Sequence, residues 1–274
     1  MAQAQTVRAE DADTAGHRRA DPAPNVGGRF CTAYLALRAA AEWAVSLVLL
    51  ITALPLLTVL AVLLKISSPG PVLYTQMRLG QHGRPFRIYK LRTMSHGCES
   101  ETGPVWSIAG DPRATKIGRW LRVTHLDELP QLWNVLRGDM SLIGPRPERP
   151  EIAEHIERAL PEFRHRLLVR PGITGLAQVL RPPDADLDTV CLKLAHDLEY
   201  IRRLGPLLDA RIAAATMLGL TMPGAKAARV LVGGCAPRQP VQTGHSMPRL
   251  RLTAPLGPSE LPSTNTPAVL SKAA

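Results

Sequence analysis

Residues 44–64, AVSLVLLITALPLLTVLAVLL, form 21 consecutive positions without one charge. At about 1.5 Å rise per residue this stretch measures about 30 Å, the thickness of a bilayer's hydrocarbon layer. It lies behind a long polar segment, which sets it apart from an ordinary secretory signal. The sequence therefore predicts membrane insertion. Pro55 stands near the middle, where a lost backbone hydrogen bond and a ring clash should bend the helix. Arg29 and Arg38 precede the stretch, while Lys65, Arg78 and Arg84 follow it. Basic residues on both flanks give the positive-inside rule no direction. The expectation is a re-entrant helix that turns at Pro55 and returns to the side it left. A plain spanning helix with a tolerated proline is the simpler alternative.

The rest of the chain divides around this segment. Residues 1–29 are rich in Ala, Asp, Arg, Gly and Pro, show no apolar period, and read as a disordered arm. The membrane helix occupies 30–66 and a single domain 67–222; residues 223–274, rich in Gly, Pro, Ser and Thr, read as a disordered tail. Within the domain, 72–78 and 86–92 look like strands joined by a turn at Gln81–Pro85. Helical patterns cover 127–137, 149–160 and 188–203, followed by an apolar stretch at 207–220. This is an α+β chain: a membrane helix, then a compact, mainly helical domain with a small β-hairpin.

Lys and Arg total 33 against 23 Asp and Glu, a net charge of +10 that suits an anionic partner. Aromatic residues make up 4% of the chain, too few to build stacking platforms, and the basic residues are scattered among structured segments. Both features argue against nucleic acid. Cys31, Cys98, Cys191 and Cys235 are widely spaced, with no C-x-x-C pattern, and read as reduced thiols rather than a zinc site or disulfide framework.

The chemistry concentrates in RWLRVTHLDELPQLWNVLRGDMSLIGPRP at 119–147. Asp127 and Glu128 are adjacent carboxylates where a helix is expected to begin, with Thr124-x-x-Asp127 as its start signature and Pro130 in the first turn. Taken alone, such acids usually cap a helix or complement its dipole. Their company suggests more. Arg119 and Arg122 lie upstream, and Arg146 stands between Pro145 and Pro147, which stiffen its presentation. An arginine fork can grip a phosphate bidentately. Lys90 and Arg92, two apart on an expected strand, should share a face. A carboxylate pair among such cations can supply a nucleophile for phosphorus and a ligand for magnesium.

These stretches resemble the bacterial sugar transferase family, the polyprenyl-phosphate phosphoglycosyl transferases that start exopolysaccharide, O-antigen and glycoprotein glycan assembly. The likeness is carried by SPGPVLYTQMRLGQHGRPFRIYKLRTM at 68–94, GPVWSIAGDPRATKIGRWLRVTHLDELPQLWNVLRGDMSLIGPRPERPE at 103–151 and RHRLLVRPGITGLAQV at 164–179. A looser match at 196–212 extends it, so that it covers roughly 38–220. The resemblance implies transfer of a sugar-1-phosphate from a UDP-sugar to polyprenyl phosphate by a two-step, magnesium-dependent route. It casts Asp127 as nucleophile and Glu128 as the magnesium-associated partner. It makes Arg122 and Arg146 phosphate contacts, and places Lys90, Arg92, Arg170 and Thr174 along the substrate site. It also implies the cytoplasmic face of the bacterial inner membrane, membrane lipids as partners, helices on the membrane surface, and Pro55 as the membrane break. Oligomer formation is compatible with it.

The sequence departs from the family pattern at Leu54-Pro55, where Ser-Pro is frequent, and at Arg38-Ala-Ala-Ala-Glu42, which has alanine at a usual second basic position. His125 and Leu180-Arg-Pro are further departures. A catalytically silent membrane scaffold is the competing reading; it would have no need of the Asp127–Glu128 pair or its arginines.

Overall fold

The computed structural model describes residues 29–98, 110–180, 187–221 and 231–233. The expected arm and tail fall almost wholly outside these residues. Helix α1 spans Arg29–Ser67, 39 residues with Pro55 inside. It is the one helix among the described residues long and apolar enough to cross a membrane, and 11% of its apolar window is buried. Val48, Ile51, Leu54, Val59 and Val62 are all exposed. Helical structure continues on both sides of Pro55. A proline removes one backbone bond, and the remaining bonds carry the helix past it. Thr52 and Thr58 donate back to the carbonyls of Val48 and Leu54, each at 2.9 Å.

A hairpin follows, β1 at Leu73–Leu79 and β2 at Pro85–Leu91, antiparallel and pairing Tyr74 with Lys90. A 3-10 turn at Gln81–Gly83 joins the strands, with His82 at φ 57°. Then come α2 (Lys116–Thr124), a 3-10 turn (Leu126–Glu128), α3 (Gln131–Leu136) and β3 (Ser141–Ile143). The expected single helix over 127–137 is thus split. Thr124 does not start it: Thr124 ends α2, and its hydroxyl donates back to the Trp120 carbonyl at 3.0 Å. The chain continues through α4 (Pro150–Ala159), a 3-10 segment (Pro161–Leu168), β4 (Gly172–Thr174), α5 (Leu176–Leu180), α6 (Leu187–Arg202) and α7 (Pro206–Thr221). Cys98 and Cys191 are free thiols, as expected.

Strands β3 and β4 run parallel, a pairing the sequence reading did not foresee. Their backbones approach so closely that a Cβ on Gly172 would stand 2.1 Å from the Gly144 nitrogen, and one on Gly175 2.1 Å from the Gly144 carbonyl. Only glycine fits there.

Three apolar clusters hold the elements together. The largest gathers Ile152, Ile156, Phe163, Leu194, Leu198 and Ile212 from α4, the 3-10 segment, α6 and α7. A second joins Phe86 and Ile88 of β2 to Val135 and Met140. A third packs Leu60 and Leu64 of α1 against Leu91 and Leu121, with Leu126 at its edge. The segment leading into the carboxylate pair is therefore seated on α1.

The other end of α1 is tied by charge. Arg38 donates to Glu42 (3.0 Å), the Tyr200 hydroxyl (2.9 Å), Ser141 (2.6 Å) and the Ile143 carbonyl, and lies 3.2 Å from Asp209. Ser141 bonds Glu42, while Tyr34 and Tyr200 both donate to Asp209. Both flanks of the apolar stretch therefore touch the same domain.

Candidate active site

The carboxylate pair stands in the turn after α2. Helix α2 ends at His125, held in the left-handed region at φ 57°, where its amide bonds the Arg122 carbonyl at 3.3 Å. That reversal sends the chain into the 3-10 turn and points Leu126 toward the α1 cluster. Asp127 is 7% exposed. Its carboxylate makes no hydrogen bond or ion pair among the described residues. Burial and the neighbouring Glu128 charge push its pKa up, while Lys90, Arg122 and Arg146 pull the other way.

Glu128 is the opposite case. Lys90 Nζ donates to its Oε1 at 2.7 Å, and Arg146 Nη2 donates to the same oxygen at 3.0 Å. Burial alone would raise this carboxyl, but the two cations outweigh it and hold the group well below the usual carboxylate range. Burial lowers the Lys90 ammonium, partly offset by Glu128.

The site's arginines differ in how they are held. Arg146 lies in a braced loop: the Pro145 carbonyl accepts from Gly172 at 2.9 Å, its own carbonyl from Arg166 at 2.8 Å, and that of Pro147 from Arg78 at 3.2 Å. Its side chain stays 46% exposed. Hydrogen bonds to three successive carbonyls thus hold the backbone around Arg146. Beyond it opens a shallow groove, continuous with solvent and lined by Phe163, Arg166, Gln178 and Lys193 among others. Arg122, on α2, donates through Nε to the Thr93 hydroxyl at 2.9 Å.

Three sequence-derived candidates make no hydrogen bond or ion pair with the carboxylates. Arg92 lies past the end of β2, and its fork donates to the carbonyls of Pro69 (2.6 Å) and Ser68 (2.9 Å). The chain leaving α1 carries carbonyls without helical partners, and a buried guanidinium satisfies them. The shared face with Lys90 is thus not realised. The Thr174 hydroxyl pairs with that of Thr216 on α7 at 2.8 Å. Arg170 is exposed and makes no hydrogen bond or ion pair among the described residues. Sequence reasoning passed over two residues beside Arg122. One is Thr93; the other is Asp111, buried and gripped by Arg113 at 2.7–2.9 Å, with its pKa pulled down to about 2 by that pairing against burial. The KLRTM and GDPR runs that contain them were the available signal.

Magnesium takes one or two protein carboxylates and completes its shell with substrate phosphates and water. Asp127 without a partner, beside Glu128 with its Oε2 outside the two ion pairs, offers such a donor set. The residues fit the ion. Among the described residues there is no larger His, Cys, Asp or Glu cluster.

Comparison with known proteins bears on this arrangement. Residues 33–222 match the family model described as bacterial sugar transferase. The chain is 45% identical over 163 residues to the UDP-N-acetylgalactosamine-undecaprenyl-phosphate N-acetylgalactosaminephosphotransferase of Aeromonas hydrophila, covering 60% of this chain but 38% of that protein. It is 44% identical over 175 residues to the UDP-glucose:undecaprenyl-phosphate glucose-1-phosphate transferase of Caulobacter vibrioides, covering 62% of this chain and 65% of that one. It is 38% identical to the exopolysaccharide production protein PSS of Rhizobium leguminosarum bv. phaseoli, with 94% of that protein and 67% of this chain covered. The chain thus spans less than two thirds of the first two relatives.

Proposed function

Because this chain belongs to the bacterial sugar transferase family, we propose that it transfers a sugar-1-phosphate from a UDP-sugar to undecaprenyl phosphate, the initiating step of exopolysaccharide or related glycan synthesis. The observation that carries the reading is the asymmetric dyad: a paired, ionised Glu128 beside an Asp127 that makes no hydrogen bond or ion pair among the described residues. An oxygen of Asp127 attacks the β-phosphorus of the donor. The bond from that phosphorus to the bridging oxygen breaks, and UMP leaves with the electron pair. A phosphate oxygen of the lipid then attacks the same phosphorus, restoring the Asp127 carboxylate and yielding the lipid diphosphate sugar.

Arg122 and Arg146 offset the charge that builds on the equatorial oxygens, and Lys90 helps hold Glu128 in place. The groove beyond Arg146 gives the rest of the nucleotide a direction in which to extend. Magnesium bound at the dyad supplies further charge neutralisation at the diphosphate. Glu128→Gln should weaken magnesium use, with a defect that eases partly at high magnesium.

The site works at the cytoplasmic face of the inner membrane, with both flanks of α1 on that side. The ties from Tyr34 and Arg38 to Asp209, and from Leu60 and Leu64 to Leu121, support this topology. A straight crossing would part the two flanks by about 30 Å of hydrocarbon.

The test is a single-turnover assay on detergent-solubilised full chain, with magnesium and a panel of UDP-sugars but no lipid. One donor should release UMP in amounts matching enzyme, and the intact protein should gain one sugar-phosphate in mass. UMP that appears only when lipid is added would overturn the covalent route. No UMP from any donor, with or without lipid, would favour the scaffold.

A further inference from the structure

Thr93 follows β2 by two residues, is buried, and meets α2 at both ends. At the start of the helix the Thr93 carbonyl accepts from the Thr115 amide at 3.0 Å. Thr115 is the N-cap of α2, its hydroxyl accepting from the Gly118 amide at 2.9 Å. Gly118 then passes so close that a Cβ there would lie 1.9 Å from the Thr93 carbonyl oxygen. The first turn of α2 is thus pressed onto one peptide group, a contact that any other residue at 118 would push apart. At the last turn the Thr93 hydroxyl receives Nε of Arg122 at 2.9 Å. A bond at Nε fixes the plane of a guanidinium as well as its position. Arg122 is close enough to both Asp111 and Asp127 to favour their charged forms.

We propose that Thr93 is a positioning residue of the transfer site: its carbonyl seats α2, and its hydroxyl aims the Arg122 guanidinium at the phosphate held over Asp127. The inference rests on the function proposed above and adds a residue that the dyad and its cations do not include. Thr93 touches no reacting atom and acts through Arg122.

The two roles of Thr93 separate by substitution, since the carbonyl belongs to the backbone. Thr93→Val keeps shape and seating but removes the acceptor, whereas Thr93→Ser keeps the acceptor. Thr93→Val should lower kcat/KM for the UDP-sugar about 10- to 100-fold, the usual cost of misaligning a supported group. It should also weaken UDP binding measured by calorimetry, with little change in melting temperature. Thr93→Ser should restore most of both. In an Arg122→Ala background Thr93→Val should add no further loss, because residues acting as one unit are not additive. If Thr93→Val does not accumulate in membranes, Thr93→Ala takes its place in every arm.

Wild-type kcat/KM and UDP binding in Thr93→Val would overturn the proposal. So would an equal further drop in the Arg122→Ala background, since Thr93 would then act by another path. The binding arm keeps the two readings apart. A wild-type chain that binds UDP without turning over any donor sinks the transfer reading. Thr93 would still be judged by whether Thr93→Val weakens UDP binding.

Discussion

Two buried charged clusters in this chain are built on opposite terms. Around Arg38, every group is answered: Glu42, Asp209, Ser141, Tyr200 and Tyr34 bond to the arginine or to one another. Around the dyad, Glu128 takes two cations on one oxygen while the buried Asp127, one residue away, takes none among the described residues. Asp127 lies in the field of Lys90, Arg122 and Arg146 yet is bonded to none of them, which leaves its oxygens open to a ligand. The first cluster is an anchor for α1. The second holds a group in reserve for a ligand.

Neutralising one member of each cluster should break the comparison cleanly. Asp127→Asn should cost turnover on the order of 10³-fold or more, because the amide is a far poorer nucleophile. Its melting temperature should hold or rise, since a buried charge without a partner has been removed. A fall in stability would mean that Asp127 has a structural partner. Arg38→Met should do the reverse. Removing one partner of a buried ionic cluster costs about 3–5 kcal/mol, so thermal melts should shift down while kcat per folded molecule is unchanged. If Arg38→Met abolishes turnover at full stability, the anchor belongs to the site. Arg146→Lys should fall between them. It keeps the charge and loses the fork, and charged hydrogen bonds contribute about 1.5–3 kcal/mol. A drop of roughly 10- to 100-fold in kcat/KM is expected; near-normal kinetics would make Arg146 only a brace for its loop.

The same contrast explains what could be read from residue order. Local periodicity and turn chemistry placed the hairpin and the helices at 150–159 and 187–202 within a residue or two, and the apolar stretch at 207–220 proves to be helix α7. The dyad with Lys90, Arg122 and Arg146 was legible because cations and carboxylates crowd one short stretch and its neighbours. What failed was decided at long range. Lys90 and Arg92 alternate correctly, but the strand ends between them, and carbonyls left by α1 more than twenty residues earlier claim Arg92. Thr124 has the side chain of a helix start, yet the left-handed His125 makes it a helix end. The parallel β3–β4 pair leaves no local trace beyond glycines whose close approach appears only when two distant loops meet.

The smallest effect concerns the acid side of the pH profile, and it tests the reserved carboxylate most directly. Asp127 attacks only as the carboxylate, so kcat/KM, which reports the free enzyme, should fall as pH drops through its pKa. Burial and then Glu128 raise that pKa, while Lys90, Arg122 and Arg146 lower it. The acid limb should therefore lie above the range of an ordinary aspartate. Its neighbours should move it in opposite senses. Lys90→Met removes a favourable cation and makes the carboxylate harder to ionise, so the limb should shift to higher pH. Glu128→Gln removes the adjacent negative charge and leaves Lys90 and Arg146 without their ion pair, so the limb should shift to lower pH. Both variants lose activity, but the position of the limb does not depend on its height. A limb that stays fixed in both variants would mean that the titrating group is not Asp127. A shift of both in one direction would mean that the cations act on substrate phosphate alone, and the electrostatic account of the dyad would fail.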